Sequence, residues 1–524
     1  MARRVSSPTA KRGIYGVVAA LALALIWSCS TAPPDTTPAS VTIASGDAQT
    51  ATVGTAVGTA PSVTVKNAGG DALSGVSVTF AVASGGGSVT GGSATTDAQG
   101  VATAGSWTLG TTAGANTLTA TVQGVSTPAT FTATGTAGSP TTMTIVLGNH
   151  QTGGISTNLP IDPRVRIEDG LGNPVAGVDV TFTPRSGSGS VSSTMVSTDV
   201  NGQARTKWAP GQGGTNLMDV TTGPFIQTFF SIGSNSAYKL EVVFLTPAST
   251  TQMIAFGDAA ARWMDIITGD LGDIDFGVGQ GANACGVGDP NITGVQDDLI
   301  VFVSLVLIDG PGGILGSAGP CFIRTLTDTP LTVVGVMQFD TADLPNLEAA
   351  GTLGDVILHE MAHVIGYGTL WNFSPLNLLN NPSLPSSVGA DTHFSGANAV
   401  AAFNALPGGP WVPPSPASSV VPVENTQGGQ GTRDTHWRES TFVTELMTGF
   451  IAGAGNPLST VTIQSLLDMG YAVDINQADA YPLGDPNGLR AGGSSTVFHL
   501  KDDILRIPLK LIDRNGRVVG VVDP

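Results

Sequence analysis

Between Ala39 and about Gly138 the apolar residues fall in short runs in which Val, Thr and Phe alternate, separated by Gly, Asp and Asn. Alternation of period two turns one side of each segment toward a core, and frequent turn residues fold the segments back, so this stretch predicts an all-β sandwich. The stretch that follows repeats it. "GVSVTF" from Gly75 to Phe80 returns as "GVDVTF" from Gly177 to Phe182, and "TTDAQGVAT" around Asp97 returns as "STDVNGQAR" around Asp199, at one offset. Trp107 and Trp208 recur at nearly the same offset, and a repeat of this length is a duplicated domain because it exceeds any solenoid unit. Val76, Val78 and Phe80 share a face in the first copy, as do Val178, Val180 and Phe182 in the second. The segments Asp97 to Gly100 and Asp199 to Gly202 suit hairpin turns.

From Tyr238 the pattern changes. "YKLEVVFLTP" reads as a strand, "MIAFGDAAARWMDIITGDLG" as an amphipathic helix with Ala259, Trp263, Ile266 and Ile267 inward, and "DDLIVFVSLVLID" and "LTVVGVMQFD" as further strands. Gly351 to Gly366 reads as the next helix, with Val356, Ile357, Met361 and Ile365 on its buried side. Helices interleaved with strands predict an α+β region. The domains expected are therefore 39–139, 140–235 and 236–482, with a strand-like tail over 483–524 that suits a β hairpin.

Composition narrows the class. The chain has 524 residues, of which 11% are charged, against the roughly 25% usual for soluble domains. Its formal net charge of -18 excludes nucleic acid as the expected partner. Arg3, Arg4, Lys11 and Arg12 precede an apolar stretch from Gly13 to Trp27, too short to span a bilayer comfortably, which describes an export signal over 1–28. Cys29 follows in "LIWSCS", a stretch that resembles the lipobox of bacterial lipoproteins. That resemblance implies a lipid-modified Cys29, a tether over 29–38 and a membrane anchor; an ordinary signal peptide cut near the same point is the other reading. Either route exports the chain, as a cell-surface or outer-membrane lipoprotein or as a secreted protein. Cys285 and Cys321 remain, and in an oxidising compartment they are expected to form a disulfide.

The chemistry concentrates in "HEMAHVIGYGTLW", His359 to Trp371. His359 and His363 stand one helical turn apart with Glu360 beside them, which lets two imidazoles grip one zinc ion while the carboxylate reaches a water. Gly366 is placed to end the helix and turn the chain. Further on, "GTRDTHWRESTFVTELMTGF" supplies His436 and then Met447 in "ELMTG". His393, in "DTHFSGANAV", is the rival third ligand; it lies nearer the helix in sequence but lacks a following methionine.

These motifs together resemble the leishmanolysin-like zinc endopeptidases of the metzincin group, and the two repeated sandwiches look like bacterial immunoglobulin-like domains. Position 369, which carries the third histidine in short-spaced metzincins, is Thr here. The resemblance implies a multidomain chain of two immunoglobulin-like sandwiches followed by an α+β zinc protease domain. It further implies His359, His363 and His436 as zinc ligands, Glu360 as catalytic base, Gly366 as the tight turn and Met447 beneath the metal. Protein or peptide substrates follow from it. Tyr367, His393 and Tyr471 are candidates for substrate or transition-state contact. Calcium is a second expected ion, since Asp265 to Asp275 and Asp297 with Asp298 offer oxygen ligands without a regular rhythm. The alternative functions are a surface adhesive protein with an inactive protease-like domain, or a metal-dependent hydrolase of a non-peptide polymer.

Overall fold

The computed structural model describes residues 33–325, 329–384, 390–407, 418–483 and 497–523, so the expected signal and Cys29 lie outside the described residues. Among these residues no helix is long and apolar enough to cross a membrane. The chain divides into two compact units, Met1–Thr136 and Ala137–Pro524.

In the first unit a five-stranded sheet runs in the order Gln49–Thr52, Ala129–Thr136, Gly114–Val122, Ser77–Ser84, Ser93–Thr95. A three-stranded sheet of Ser40–Ser45, Ser62–Lys66 and Val101–Thr103 completes the sandwich. Val63 and Val65 from the smaller sheet meet Val78, Phe80, Leu118 and Phe131 from the larger around Trp107. The repeated turn has one local cause. Asp97 Oδ1 accepts the N–H groups of Gln99 and Val101 at 2.8 and 2.9 Å, folding the backbone over its own side chain.

The second unit opens with the same architecture. Gln151–Gly153, Phe225–Gly233, Gly214–Thr222, Asp179–Pro184 and Met195–Ser197 repeat the five-stranded order, with Pro140–Leu147, Arg164–Asp169 and Gln203–Arg205 as the smaller sheet. Asp199 repeats the turn through Asn201 and Gln203. Met143, Val165, Val180, Phe182, Trp208, Met218 and Phe229 form its own core. Leu217, Phe230 and Ile232, at alternate positions on the same strands, instead belong to the core of the region that follows.

That region is built on a six-stranded mixed sheet in the order Leu240–Phe244, Leu299–Val306, Thr332–Asp340, Gly316–Arg324, Leu509–Ile512, Val518–Val522. The first three strands are parallel, and Gly316–Arg324 is antiparallel to its neighbour Thr332–Asp340. Helix α1 (Thr250–Ile266) begins at a capping box in which Ser249 and Gln252 satisfy each other's backbone. It stops short of the expected end because Ile267 turns extended and bridges to Val473. Helix α2 (Leu344–Ala350) ends at Gly351, and α3 (Leu353–Ile365) restarts at once, packed between α1 and the sheet. Helices α4 (Ala397–Ala405), α5 (Glu439–Phe442) and α6 (Thr460–Met469) follow, α6 capped by Ser459.

The strand Gly316–Arg324 has no counterpart in the sequence pattern, since its Gly, Ala and Pro residues carry no strand signal. A disulfide between Cys285 and Cys321 ties it to the preceding loop region. Two strands near the C-terminus belong to the large sheet. Leu509–Ile512 runs parallel to Gly316–Arg324, and Val518–Val522 returns antiparallel to Leu509–Ile512.

Candidate metal centre

Helix α3 turns Val356, Ile357, Met361, Val364 and Ile365 into the core, and His359, Glu360 and His363 are themselves fully buried. The helix ends at Gly366 with φ 118°, where a Cβ would come within 2.7 Å of Leu370 and 3.0 Å of Met469. Thr369 Oγ1 donates to the His363 carbonyl at 3.0 Å, satisfying one of the last carbonyls of the helix. At Gly368 a Cβ would lie 2.3 Å from the Thr435 carbonyl oxygen. Glycine there lets the turn lie directly against the residue before His436.

The three histidines converge. Nε2 of His359 lies 2.9 Å from Nε2 of His436, and Nε2 of His363 lies 3.0 Å from each. Every Nδ1 faces a carbonyl oxygen: His359 that of Leu446 at 2.7 Å, His363 that of Tyr367 at 2.9 Å, His436 that of Thr432 at 3.0 Å. A carbonyl can only accept, so each Nδ1 carries the proton and the Nε2 lone pairs point at one another. Burial holds His359 below, and His363 well below, the usual imidazole pKa, with neighbouring histidines adding to the effect. Neutral rings cannot hydrogen-bond through facing lone pairs. A cation bound between them can use all three.

A fourth donor arrives from the tail. Asp503, fully buried, places Oδ2 3.1 Å from His436 Nε2 and 3.5 Å from His359 Nε2. Burial alone would raise its pKa, but His436, His359 and His363 outweigh that and hold the carboxyl well below its usual range. Neither oxygen of Asp503 has a hydrogen-bond partner among the described residues. Three imidazoles and one carboxylate form a donor set that fits zinc. Glu360, next to the first histidine, likewise has two buried oxygens without a hydrogen-bond partner. Its burial, and secondarily the charge of Asp503, push its carboxyl well above the usual range.

Two further carboxylates shape the surroundings. Glu445 accepts the Met447 N–H at 2.6 Å, the Ser459 N–H and hydroxyl at 2.9 and 2.8 Å, and the Thr462 hydroxyl at 2.5 Å. It thereby joins the methionine turn to the start of α6, and that turn supplies the Leu446 carbonyl for His359. Glu424 accepts from the N–H groups of Asn425, Thr426 and Gln427 with one oxygen and of Glu439 with the other, while its own N–H donates to the His436 carbonyl. Trp437, beside His436, packs on Trp371 and Phe442 at ring separations of 5.0 and 5.5 Å, with Tyr367 completing the group.

Of the residues singled out in the sequence, His359, Glu360, His363 and His436 are adjoining and buried, and Met447 lies buried in the turn that holds His359. The Tyr367 ring is 6.0 Å from that of His363. Tyr471 donates its hydroxyl to the Ile365 carbonyl. His393 sits in the two-residue strand His393–Phe394 with Nδ1 against the Asp391 carbonyl, and takes no part in the cluster. Asp270, Asp297 and Asp298, from the acidic stretches, bring oxygens within 4.8 Å of one another, with Asp298 already held by the N–H groups of Lys239 and Leu271. Asp503, Glu445 and Glu424 were not anticipated. "ELMTG" contains Glu445 in plain view; the paired acids of "LKDDIL" are the only local sign of Asp503.

Residues 279–490 match the Leishmanolysin peptidase family. No curated protein matches the chain. Among solved structures it aligns with the D0-D1 domain of intimin at 20% identity, over 37% of this chain and 95% of that one, with a TM-score of 0.17. The Escherichia coli adhesin FdeC aligns at 20% identity over 37% of this chain and 64% of that one, with a TM-score of 0.26. InvD of Yersinia pseudotuberculosis aligns at 17% identity over 40% of this chain and 59% of that one, with a TM-score of 0.29. The chain thus spans less than two thirds of FdeC and InvD. The family match and the buried histidine and aspartate cluster with adjacent Glu360 together mark the C-terminal region as a zinc metalloendopeptidase domain of the metzincin type, with proteins or peptides as substrates.

Proposed function

We propose that this leishmanolysin-like domain cleaves peptide bonds of extracellular proteins, with His359, His363 and His436 as zinc ligands and Glu360 as general base. The carrying observation is the Glu360 carboxyl group, whose two buried oxygens have no hydrogen-bond partner among the described residues beside three converging imidazoles. Leaving a buried carboxylate without donors is costly, so its presence implies a task, that of binding a water molecule. His359, His363 and His436 would hold a zinc ion, which would supply Lewis acidity at this site.

Glu360 accepts the proton of the attacking water and returns it to the departing amine. The carbonyls of Leu446, Tyr367 and Thr432 keep each ring in the tautomer that presents Nε2. Met447, buried in the turn anchored by Glu445, is assigned the place beneath the metal. An adhesive protein with a dead protease domain would have no use for a buried Glu360 that lacks a hydrogen-bond partner among the described residues.

The remaining parts of the reading concern place. A basic and apolar N-terminus and the Cys285–Cys321 disulfide support export to an oxidising compartment, with Cys29 as the lipid anchor and the two sandwiches as spacers before the protease. The net charge of -18 supports the absence of nucleic acid among its partners.

Glu360→Gln is expected to retain one zinc per chain by metal analysis and to lower casein hydrolysis by about 10²–10⁴-fold. Undiminished hydrolysis by Glu360→Gln, or a parent protein that takes up no stoichiometric zinc, would overturn the assignment.

A further inference from the structure

The reacting groups are all fully buried, and the chain's own tail lies directly against them. Phe498–His499 pairs antiparallel with Phe450–Ile451, just past the methionine turn. Leu500, buried, donates its N–H to the Gly449 carbonyl at 3.1 Å. Thr432 Oγ1, from the segment that leads into His436, donates to the Lys501 carbonyl. Asp503 then reaches the histidines, and its backbone continues onto the sheet: Ala318 N–H donates to the Asp503 carbonyl and Leu505 N–H to the Ala318 carbonyl, both at 2.8 Å. Leu509–Ile512 carries the pairing along Gly316–Arg324. The segment is thus strapped on both sides of the cluster and crosses it at Asp503.

We propose that residues 497–512 are an intramolecular inhibitor of the protease, with Asp503 filling the ligand position at zinc that water and substrate must use. The proposal rests on the zinc-peptidase reading of the same site. Two features separate it from a permanent four-ligand structural site. A zinc held by three histidines and a carboxylate is closed to catalysis, because a catalytic ion keeps one position open; yet Glu360, which has no role in a closed site, is intact beside it.

The second feature is the edge of Gly316–Arg324. Without the tail its N–H and C=O groups at Ala318 would be free to take an extended peptide by strand addition, and the tail consumes them. Lys501, just before the carboxylate, holds φ at 62°, a conformation that a non-glycine residue adopts only under constraint from its surroundings. A cleft of about 330 Å³ lies alongside, lined by Gly368, Thr369 and Leu384 on one side and by Ile504, Leu505 and Ile507 of the tail on another. Release of the tail opens that cleft, the sheet edge and the fourth ligand position together.

The test uses the full-length zinc-loaded protein and three variants. Asp503→Asn keeps the shape and removes the anionic ligand. Leu505→Pro deletes one hydrogen bond to Ala318 and leaves every group at the histidines in place. Asp502→Asn, at the exposed neighbouring acid, is the control.

Binding of a peptide hydroxamate is measured by calorimetry, casein hydrolysis is followed in parallel, and the visible spectrum of the Co²⁺-substituted protein reports ligand exchange. Asp503→Asn is expected to hold zinc, bind the hydroxamate at least roughly tenfold more tightly than the parent, change the Co²⁺ spectrum and gain hydrolysis; a strap docked in nine molecules of ten imposes that factor. Leu505→Pro is expected to shift hydroxamate binding in the same direction by less, and Asp502→Asn to match the parent.

Equal hydroxamate affinity in parent, Asp503→Asn and Leu505→Pro, or loss of zinc from Asp503→Asn without any gain in Leu505→Pro, overturns the inhibitor and leaves Asp503 a structural ligand. Tighter hydroxamate binding by Asp503→Asn with no hydrolysis sustains the strap and counts instead against the protease. Hydrolysis gained by Asp503→Asn and abolished in Asp503→Asn with Glu360→Gln sustains both.

Discussion

The two sandwiches are copies of one module, with the same strand order and the same aspartate-centred turn, yet the second shares its compact unit with the metal centre. Their paired central strands show why. In the first, Thr117 pairs with Thr132 and Leu118 with Phe131; in the second, the corresponding pairs are Leu217 with Phe230 and Met218 with Phe229. Leu118, Phe131, Met218 and Phe229 all face the module's own core.

The other face differs. Thr132 and Thr134 are exposed, whereas Phe230 and Ile232 are buried in the core that also holds Leu240, Phe256 and Trp263. Strand Ala129–Thr136 accordingly alternates between buried and exposed along its whole length, while Phe229 to Gly233 is buried on both faces. A few threonine-to-apolar exchanges on one face turn the second module into a structural wall of the region that follows it.

The largest test of this contrast is deletion. A chain without residues 33–136 is expected to remain soluble, fold cooperatively and bind zinc. A chain without 33–235 exposes the apolar surface of α1 and Leu240–Phe244 that Leu217, Phe230 and Ile232 cover, and is expected to aggregate. Calorimetry and soluble yield compare them, and equal behaviour would show that the second sandwich is as separable as the first.

A single-residue version comes next. Phe230→Ala is expected to cost about 3–5 kcal/mol, and Thr132→Ala, at the matching position, under about 0.5 kcal/mol in denaturant unfolding.

The last effect is electrostatic and vanishes at neutral pH. His150 packs against Phe230 and Phe244 at ring separations of 6.1 and 5.8 Å, and burial lowers its pKa from 6.5 to about 4. The unfolded chain therefore binds a proton between pH 6.5 and 4 that the folded one does not, and stability falls as pH falls through that window. The first sandwich has no histidine at all. A His150→Gln variant should flatten the thermal midpoint against pH between 6.5 and 4, and an unchanged slope would remove His150 as its source.

Much of this architecture was legible because it is local. Val78 with Phe80 and Val180 with Phe182 announce strands by period two, and the repeat announces a second copy of the same module. His359 and His363 were legible because an apolar helix face fixes their common direction. The threonine-to-apolar exchange was also written in the sequence, but the face it lies on becomes meaningful only once the strands are paired in register. A boundary at residue 235 follows the composition, while the core runs across it from Phe230 to Leu240 and Trp263. Asp503 lay beyond local reading. Nothing within "LKDDIL" tells that the backbone there is held between Gly449 and Ala318, and only those long-range pairings aim the carboxylate at the histidines.

The stacked rings beside the histidines carry an optical consequence. Trp371 and Trp437 lie 5.0 Å apart, fully buried and held at a fixed angle of 31°, so they form a coupled pair of chromophores in a chiral setting. Trp437 is also covalently next to His436. An ion that absorbs visible light drains their emission when it enters the cluster, and any shift of His436 alters their near-ultraviolet dichroism, so the protein carries its own dye for the state of its active site.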